Sequence, residues 1–209
     1  MISCLSSGNE NQLLLRICKA NVVEYRELKY NEIIKVKVDF IQYWSFEKKY
    51  KKRSYEIMIK VLFVCHGNIC RSAMAENMFR ALLVARGIDW VSVDSAATSR
   101  EEIGNPIYPP ARAKLEQEGV PVCNHRARQL TKADYDAFDW LIGMDVANMR
   151  NMAKICGGDP AGKMHLFLAL AGEEREIADP WYTRNFDQTF NDVAKACEAL
   201  LEAIMANRG

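Results

Sequence analysis

No run of apolar residues in this 209-residue chain comes near the ~18 needed to cross a membrane as a helix. No membrane partner is therefore expected. The start carries no basic segment followed by a long apolar one, and Leu13-Leu14-Leu15 is too short for a secretory signal. Charge of one sign is also missing: 28 Lys and Arg stand against 27 Asp and Glu, a formal net charge of +1. That is too little to hold a nucleic acid by its phosphates. Seven cysteines, an odd number at irregular spacings, do not make a disulfide framework. No second Cys/His pair at ligand spacing accompanies Cys65 and Cys70, so zinc, and any metal or cofactor, is not expected. What is present is 49% hydrophobic chain, enough for one globular domain with a core and length left for an appendage. A reducing cytoplasm suits free cysteines of this kind.

The composition shifts near residue 57. Residues 1–57 carry 11 Lys and Arg and 7 Asp and Glu, whereas the remainder carries 17 and 20. Alanine occurs once before Met58 and 22 times after it. Ile34 to Phe40 alternates like an edge strand, and Lys48 to Arg53 holds five basic residues around Tyr50. No catalytic constellation accompanies either. The reading favoured is an N-terminal extension that reflects a misplaced start, with the domain spanning 58–209.

That domain is organised around Val61 to Ser72. Val61-Leu62-Phe63-Val64 reads as a fully buried strand, and Ser72-Ala73-Met74-Ala75-Glu76 opens a helix. Between them lies Cys65-His66-Gly67-Asn68-Ile69-Cys70-Arg71. A tight strand–loop–helix turn aims backbone N–H groups inward at the positive end of the helix dipole, which makes an anion site. His66 through Arg71 would bind a phosphate-like oxyanion. Loop amides, the helix start and a guanidinium all favour a Cys65 thiolate, a nucleophile able to attack phosphorus. The fork of Arg71 matches two phosphoryl oxygens. Gly67 offers positive φ where the loop curls, and Asn68 can tie the loop through its side chain. Ser72 either caps the helix or hydrogen-bonds the sulfur.

Downstream, Met74, Met78, Phe79, Leu82 and Leu83 recur at helical spacing and Gly87 stops the helix. Trp90 to Ala96 alternates as a second strand. Strand–helix–strand order implies a parallel sheet with the site at the carboxyl end of the first strand. Further helices are read from Pro109 to Gly119, from Thr131 to Phe138, after Asp145, and over 186–206. Further strands are read over Trp140–Met144 and Lys163–Leu168. The fold class is thus α/β, three layers with a four-stranded parallel sheet. Asp179-Pro180-Trp181-Tyr182 is the second chemical feature, although Asp-Pro alone is a plain turn signal and gains weight only beside the Cys65 loop. Breaking a phosphate ester leaves an oxyanion that needs a proton, and a carboxyl on a loop fixed by proline suits that task. Burial beside phosphate charge would keep Asp179 protonated, and the same carboxylate would then activate water. Trp181 and Tyr182 would stack on a flat leaving group.

Val64-Cys65-His66-Gly67-Asn68-Ile69-Cys70-Arg71-Ser72 resembles the phosphate-binding loop of the low-molecular-weight protein tyrosine phosphatases. The likeness continues through Asp94 to Ser99, Ile103 to Pro106, His125 to Gln129, Met144-Asp145 and Asp179 to Tyr182, and covers about residues 58–209. It implies hydrolysis of phosphotyrosine in a protein substrate through a phosphocysteine, by a monomer or weak dimer without cofactor. It implies Cys65 as nucleophile, Arg71 as phosphoryl ligand and Asp179 as general acid and base. It also implies that Ser95 holds Asn68 and that Glu76 pairs with His125 behind the loop. Glu101 stands where the family often has an aromatic substrate wall, which should disfavour acidic peptides. Cys70 in the same loop reads either as a packed thiol or as the partner of Cys65 in a reversible disulfide that would protect the nucleophile from over-oxidation.

Rival readings share the loop. An arsenate reductase needs a resolving cysteine, and Cys123 and Cys156 lack a convincing pair. Protein-arginine phosphatases typically carry Thr where Ile69 stands, so the apolar Ile69 argues for phosphotyrosine. A non-catalytic phosphate-binding module would have no use for Cys65, Arg71 and Asp179 together.

Overall fold

The structure, a computed structural model, describes residues 58–208; the readings of residues 1–57 fall outside them. Strand β1 (Ile59–Cys65) is the hinge of the architecture. Val61, Leu62, Phe63 and Val64 have no exposed surface, so the sequence shows a continuous apolar run where a one-faced strand would alternate. The alternation survives in the packing. Val61, Phe63 and Cys65 join one core cluster, and Leu62 and Val64 join another on the opposite face.

Four parallel strands form the sheet among the described residues, in the order β2–β1–β3–β4. β2 (Val91–Ala97) and β3 (Trp140–Gly143) flank β1, and β4 (Met164–Leu166) lies outside β3. Helix α1 (Arg71–Ala85) buries Met74, Met78, Phe79 and Leu83 against one face. Helix α2 (Pro109–Gln117) starts on two prolines, tolerated because the first turn needs no N–H partner. A capping box between Thr131 and Asp134 starts α3 (Lys132–Ala137). Asp145 caps α4 (Val146–Cys156) by accepting from the Asn148 N–H at 2.5 Å. The short α5 (Pro180–Thr183) follows, and α6 (Phe186–Ala206) closes the chain with Val193, Cys197, Leu200, Leu201 and Ile204 buried. Helices thus cover both faces, as expected for the three-layer α/β class.

One strand is shorter than the sequence implies. The apolar run Lys163–Leu168 holds only three strand residues, and a 3₁₀ turn (Leu168–Ala171) follows. Phe167 takes helical torsions there, and its ring packs 5.1 Å from that of Phe63. The run is apolar because it fills the core beneath the sheet, not because it extends the strand.

Phe63 also meets Phe79 edge-on at 5.7 Å. Phe63→Ala should therefore cost about 3–5 kcal/mol in urea unfolding, whereas Val84→Ala, at a side chain 77% exposed, should stay within about 0.5 kcal/mol.

Candidate active site

The loop between β1 and α1 is shaped by Asn68. Its φ of 60° is one of two positive values at non-glycine residues among those described, and Asn bears that conformation better than most side chains. The positive φ was expected at Gly67, which does not show it. Gly67 instead allows close approach, since a Cβ there would lie 3.2 Å from Glu102 Cγ. The left-handed turn puts the Asn68 side chain inside the protein. Asn68 has no exposed surface and lies behind the cleft that the other loop residues line.

Each polar atom of Asn68 has a partner. Its Nδ2 donates to Ser95 Oγ at 2.8 Å and to Ser72 Oγ at 2.9 Å. Its Oδ1 accepts from the Arg128 N–H at 3.1 Å, its carbonyl accepts from His125 Nε2 at 2.7 Å, and its own N–H donates to Cys65 Sγ at 3.2 Å. The proton directions follow from the far end. Ser95 Oγ donates to Glu76 Oε2 at 2.6 Å, and His125 Nδ1 lies 3.5 Å from the same oxygen. Burial of Glu76 opposes its charge, but hydrogen bonds from His125, Ser95 and Arg80 outweigh that and hold its pKa below the usual carboxylate range. An ionised Glu76 accepts only. Ser95 must then donate to it and accept from Asn68. Ser72, accepting from Asn68, is left to donate to Cys65 Sγ, 3.0 Å away. Two donors therefore converge on one sulfur.

Ser72 is thus committed to the sulfur and not to a cap. The residue before the helix is Cys70, and no side chain caps that end. Burial, then the adjacent Cys65, push the Cys70 thiol well above the ordinary range. Neither cysteine is in a disulfide.

Arg71 is buried, and acceptors meet both of its terminal nitrogens. Nη1 donates to Asp145 Oδ2 at 2.6 Å and to the Ile177 carbonyl at 3.1 Å, and Nη2 to Asp179 Oδ2 at 2.5 Å. Burial works against the guanidinium, and Cys65, Asp179 and Asp145 outweigh it and raise its pKa. Nε alone, also buried, has no partner among the described residues. Asp179 Oδ1 accepts from the Trp181 N–H at 3.0 Å, so the carboxylate caps α5 as well.

Cys65, Arg71 and Asp179 share one cleft of about 140 Å³ with His66, Gly67, Ile69, Cys70, Glu101, Glu102, Trp181 and Tyr182. Ser72, Ser95, Glu76 and His125 lie behind it, all less than a tenth exposed. Sequence reasoning missed three contributors. Asp145 shows in the sequence only as the residue before a helix, yet one of its oxygens caps that helix and the second anchors Arg71. The Ile177 carbonyl is backbone and leaves no residue-type signal. Tyr108 supports Trp181 with ring centres 5.0 Å apart and accepts from Arg184 Nη1 at 3.1 Å.

A sulfur that accepts two donors, at the carboxyl end of a parallel strand and beside a buried guanidinium, defines a cysteine-dependent phosphatase of the α/β class. The sequence model of the low molecular weight phosphotyrosine protein phosphatases matches residues 60–208. The Bacillus subtilis low molecular weight protein-tyrosine-phosphatase YfkJ is 35% identical over 154 residues, 72% of this chain and 99% of the relative. The human low molecular weight phosphotyrosine protein phosphatase is 38% identical over 149 residues, covering 68% and 93%. The crystal structure of YfkJ superimposes with a TM-score of 0.70 over 73% of this chain and 98% of that one. That of a Drosophila arginine phosphatase, 27% identical, gives 0.65 over 70% and 97%. The chain belongs to the low molecular weight phosphotyrosine protein phosphatase family.

The depressed pKa of Glu76 gives stability that is full above about pH 4.5, the ordinary glutamate value, and is lost as pH falls through the lower folded value. Glu76→Gln should cost about 1–3 kcal/mol at pH 7 and flatten the acid limb of urea midpoint against pH. Asn68→Ala should lower kcat/KM for an aryl phosphate about tenfold or more, by losing the ties to Ser72 and Ser95.

Proposed function

We propose that this phosphatase hydrolyses phosphotyrosine in protein substrates through a phosphocysteine on Cys65. The observation that carries the reading is the Cys65 sulfur at the cleft with the buried, unpartnered Arg71 Nε beside it. A phosphoryl dianion supplies the missing acceptor. It takes the Nε–Nη2 edge of Arg71 and displaces Asp179 from Nη2, which frees the carboxyl to face the leaving oxygen. His66, Gly67, Ile69 and Cys70 present the loop backbone to the remaining phosphoryl oxygens, while the Asn68 N–H stays on the Cys65 sulfur.

In the first step the Cys65 thiolate attacks phosphorus and an S–P bond forms. The P–O bond to tyrosine breaks, and Asp179, which takes up a proton from solvent once the dianion has displaced it from Arg71, gives that proton to the departing phenolate. In the second step the Asp179 carboxylate takes a proton from water. The water oxygen bonds to phosphorus, the S–P bond breaks, and phosphate leaves while Ser72 hydrogen-bonds the returning thiolate. Ser95, Glu76 and His125 position Asn68 and do not touch the reacting atoms. Trp181 and Tyr182, both exposed at the cleft, stack on the aromatic ring.

Ile69 supports a tyrosine over a guanidinium phosphate. It is apolar, lines the cleft and is 8% exposed, and its carbonyl accepts from the Tyr108 N–H at 2.9 Å. No helix among the described residues is long and apolar enough to cross a membrane; a reducing cytoplasm is the compartment that keeps a Cys65 thiolate.

The test is turnover of phosphotyrosine and phosphoarginine peptides. Phosphotyrosine should be hydrolysed, Cys65→Ser should abolish turnover, and Asp179→Ala should lower kcat by about 10²–10⁴. Faster turnover of phosphoarginine overturns the reading of Ile69, and turnover by Cys65→Ser overturns the mechanism.

A further inference from the structure

The cleft is unequal in charge. Where one part of the lining is aromatic, Trp181 and Tyr182, another is anionic, Glu101 and Glu102. The two carboxylates differ in what they do. Glu102 is engaged structurally: its Cγ lies against Gly67, and its Oε2 accepts from Asn105 Nδ2 at 2.7 Å. Glu101 reaches across the mouth to the catalytic loop itself, where Oε2 lies 3.0 Å from His66 Nε2. Its side chain is 71% exposed and that of His66 is 50% exposed. The contact ties one carboxylate oxygen to the loop at the cleft, on a side chain that stays mostly exposed.

Of the arginines around it only Arg71 lines the cleft; Arg100 and Arg184 keep their charge on neutral partners outside the lining. Arg71 lies below, with its Nη groups on Asp145, the Ile177 carbonyl and Asp179. Arg100 Nε donates to Gln129. Arg184 lies over the Trp181 ring, 5.4 Å from its centre, and donates to Tyr108. A substrate must bring a phosphoryl dianion past the Glu101 carboxylate to reach Cys65. A second anion on the substrate would meet that carboxylate, whereas a cation would pair with it.

We propose that Glu101, held over the cleft mouth by His66, is a specificity-determining residue that selects phosphotyrosine flanked by Lys or Arg. This rests on the phosphotyrosine reading above and names the substrate class within it. The selection is electrostatic and lies at an exposed rim, so it is modest in size and fades with salt.

The test uses the full chain and three peptides that carry phosphotyrosine between two arginines, two alanines or two glutamates. At low ionic strength kcat/KM should favour the arginine peptide over the glutamate peptide by about fivefold or more, chiefly through KM. Added salt should shrink the ratio. Glu101→Gln should lower the ratio toward one, with the Glu102 charge keeping a remainder, and Glu101→Lys should invert it, a reversal that a merely structural role would not produce. Equal kcat/KM for the three peptides, or a preference unchanged in both variants, overturns the proposal. Para-nitrophenyl phosphate, which has no flanking residues, separates the two levels. Its turnover by wild type without any charge preference among peptides removes this inference alone. Failure to hydrolyse it or any of the peptides removes the phosphotyrosine reading and this inference with it.

Discussion

The site depends on a proton order set by Glu76. A buried carboxylate that can only accept forces Ser95 to donate, forces the Asn68 amide to face both serines, and leaves Ser72 its hydrogen for the Cys65 sulfur. The Arg128 N–H on Asn68 Oδ1 prevents the amide from turning over. The sulfur thus receives hydrogen bonds from positions fixed before any substrate arrives, the condition under which such donors are most effective. The backbone supports the same order. The positive φ of Asn68 is what brings its amide, its carbonyl and its N–H to three different parts of the scaffold.

Arg71 solves a second problem. A guanidinium taken out of water needs opposite charge close by, and here Asp145 and Asp179 supply it from separate segments. The two carboxylates are not equivalent. Asp145 is fixed by its cap on α4, and the Ile177 carbonyl shares the same Nη1. Asp179 sits on a four-residue helical turn and blocks the side of the guanidinium that a phosphoryl group would use. On the mechanism proposed above, binding would exchange one anion for another, which would keep the buried charge compensated and release the carboxyl for the leaving oxygen.

Much of this was legible in the chain. The apolar run before Cys65 marked the central strand, and the alternation of Val61 and Phe63 against Leu62 and Val64 explains why it is apolar throughout. The parallel four-stranded sheet, the caps at Thr131 and Asp145, and the long closing helix follow from local signals that agree with one another. Resemblance was needed to pair Glu76 with His125 and Ser95 with Asn68, because those residues are distant in sequence and unremarkable alone. Other features carry no signal of residue type. The Ile177 carbonyl is backbone. Phe167 reads as strand because a buried turn needs the same apolar side chains. Gly67 looked like the left-handed residue because glycine bears positive φ most readily, but the side chain worth burying belongs to Asn68, so the turn falls there. The contact between His66 and Glu101 joins two exposed residues 35 positions apart, and only folding brings them together.

The most direct measurement is to trap the covalent state. Asp179→Ala, mixed with an aryl phosphate and quenched in the steady state, is digested and its Cys65 peptide weighed. The account predicts that this peptide carries one phosphoryl group on sulfur, and that the adduct disappears once substrate is exhausted. Turnover of the aryl phosphate with Cys65 unmodified throughout, or a phosphoryl group found on another residue, would contradict it.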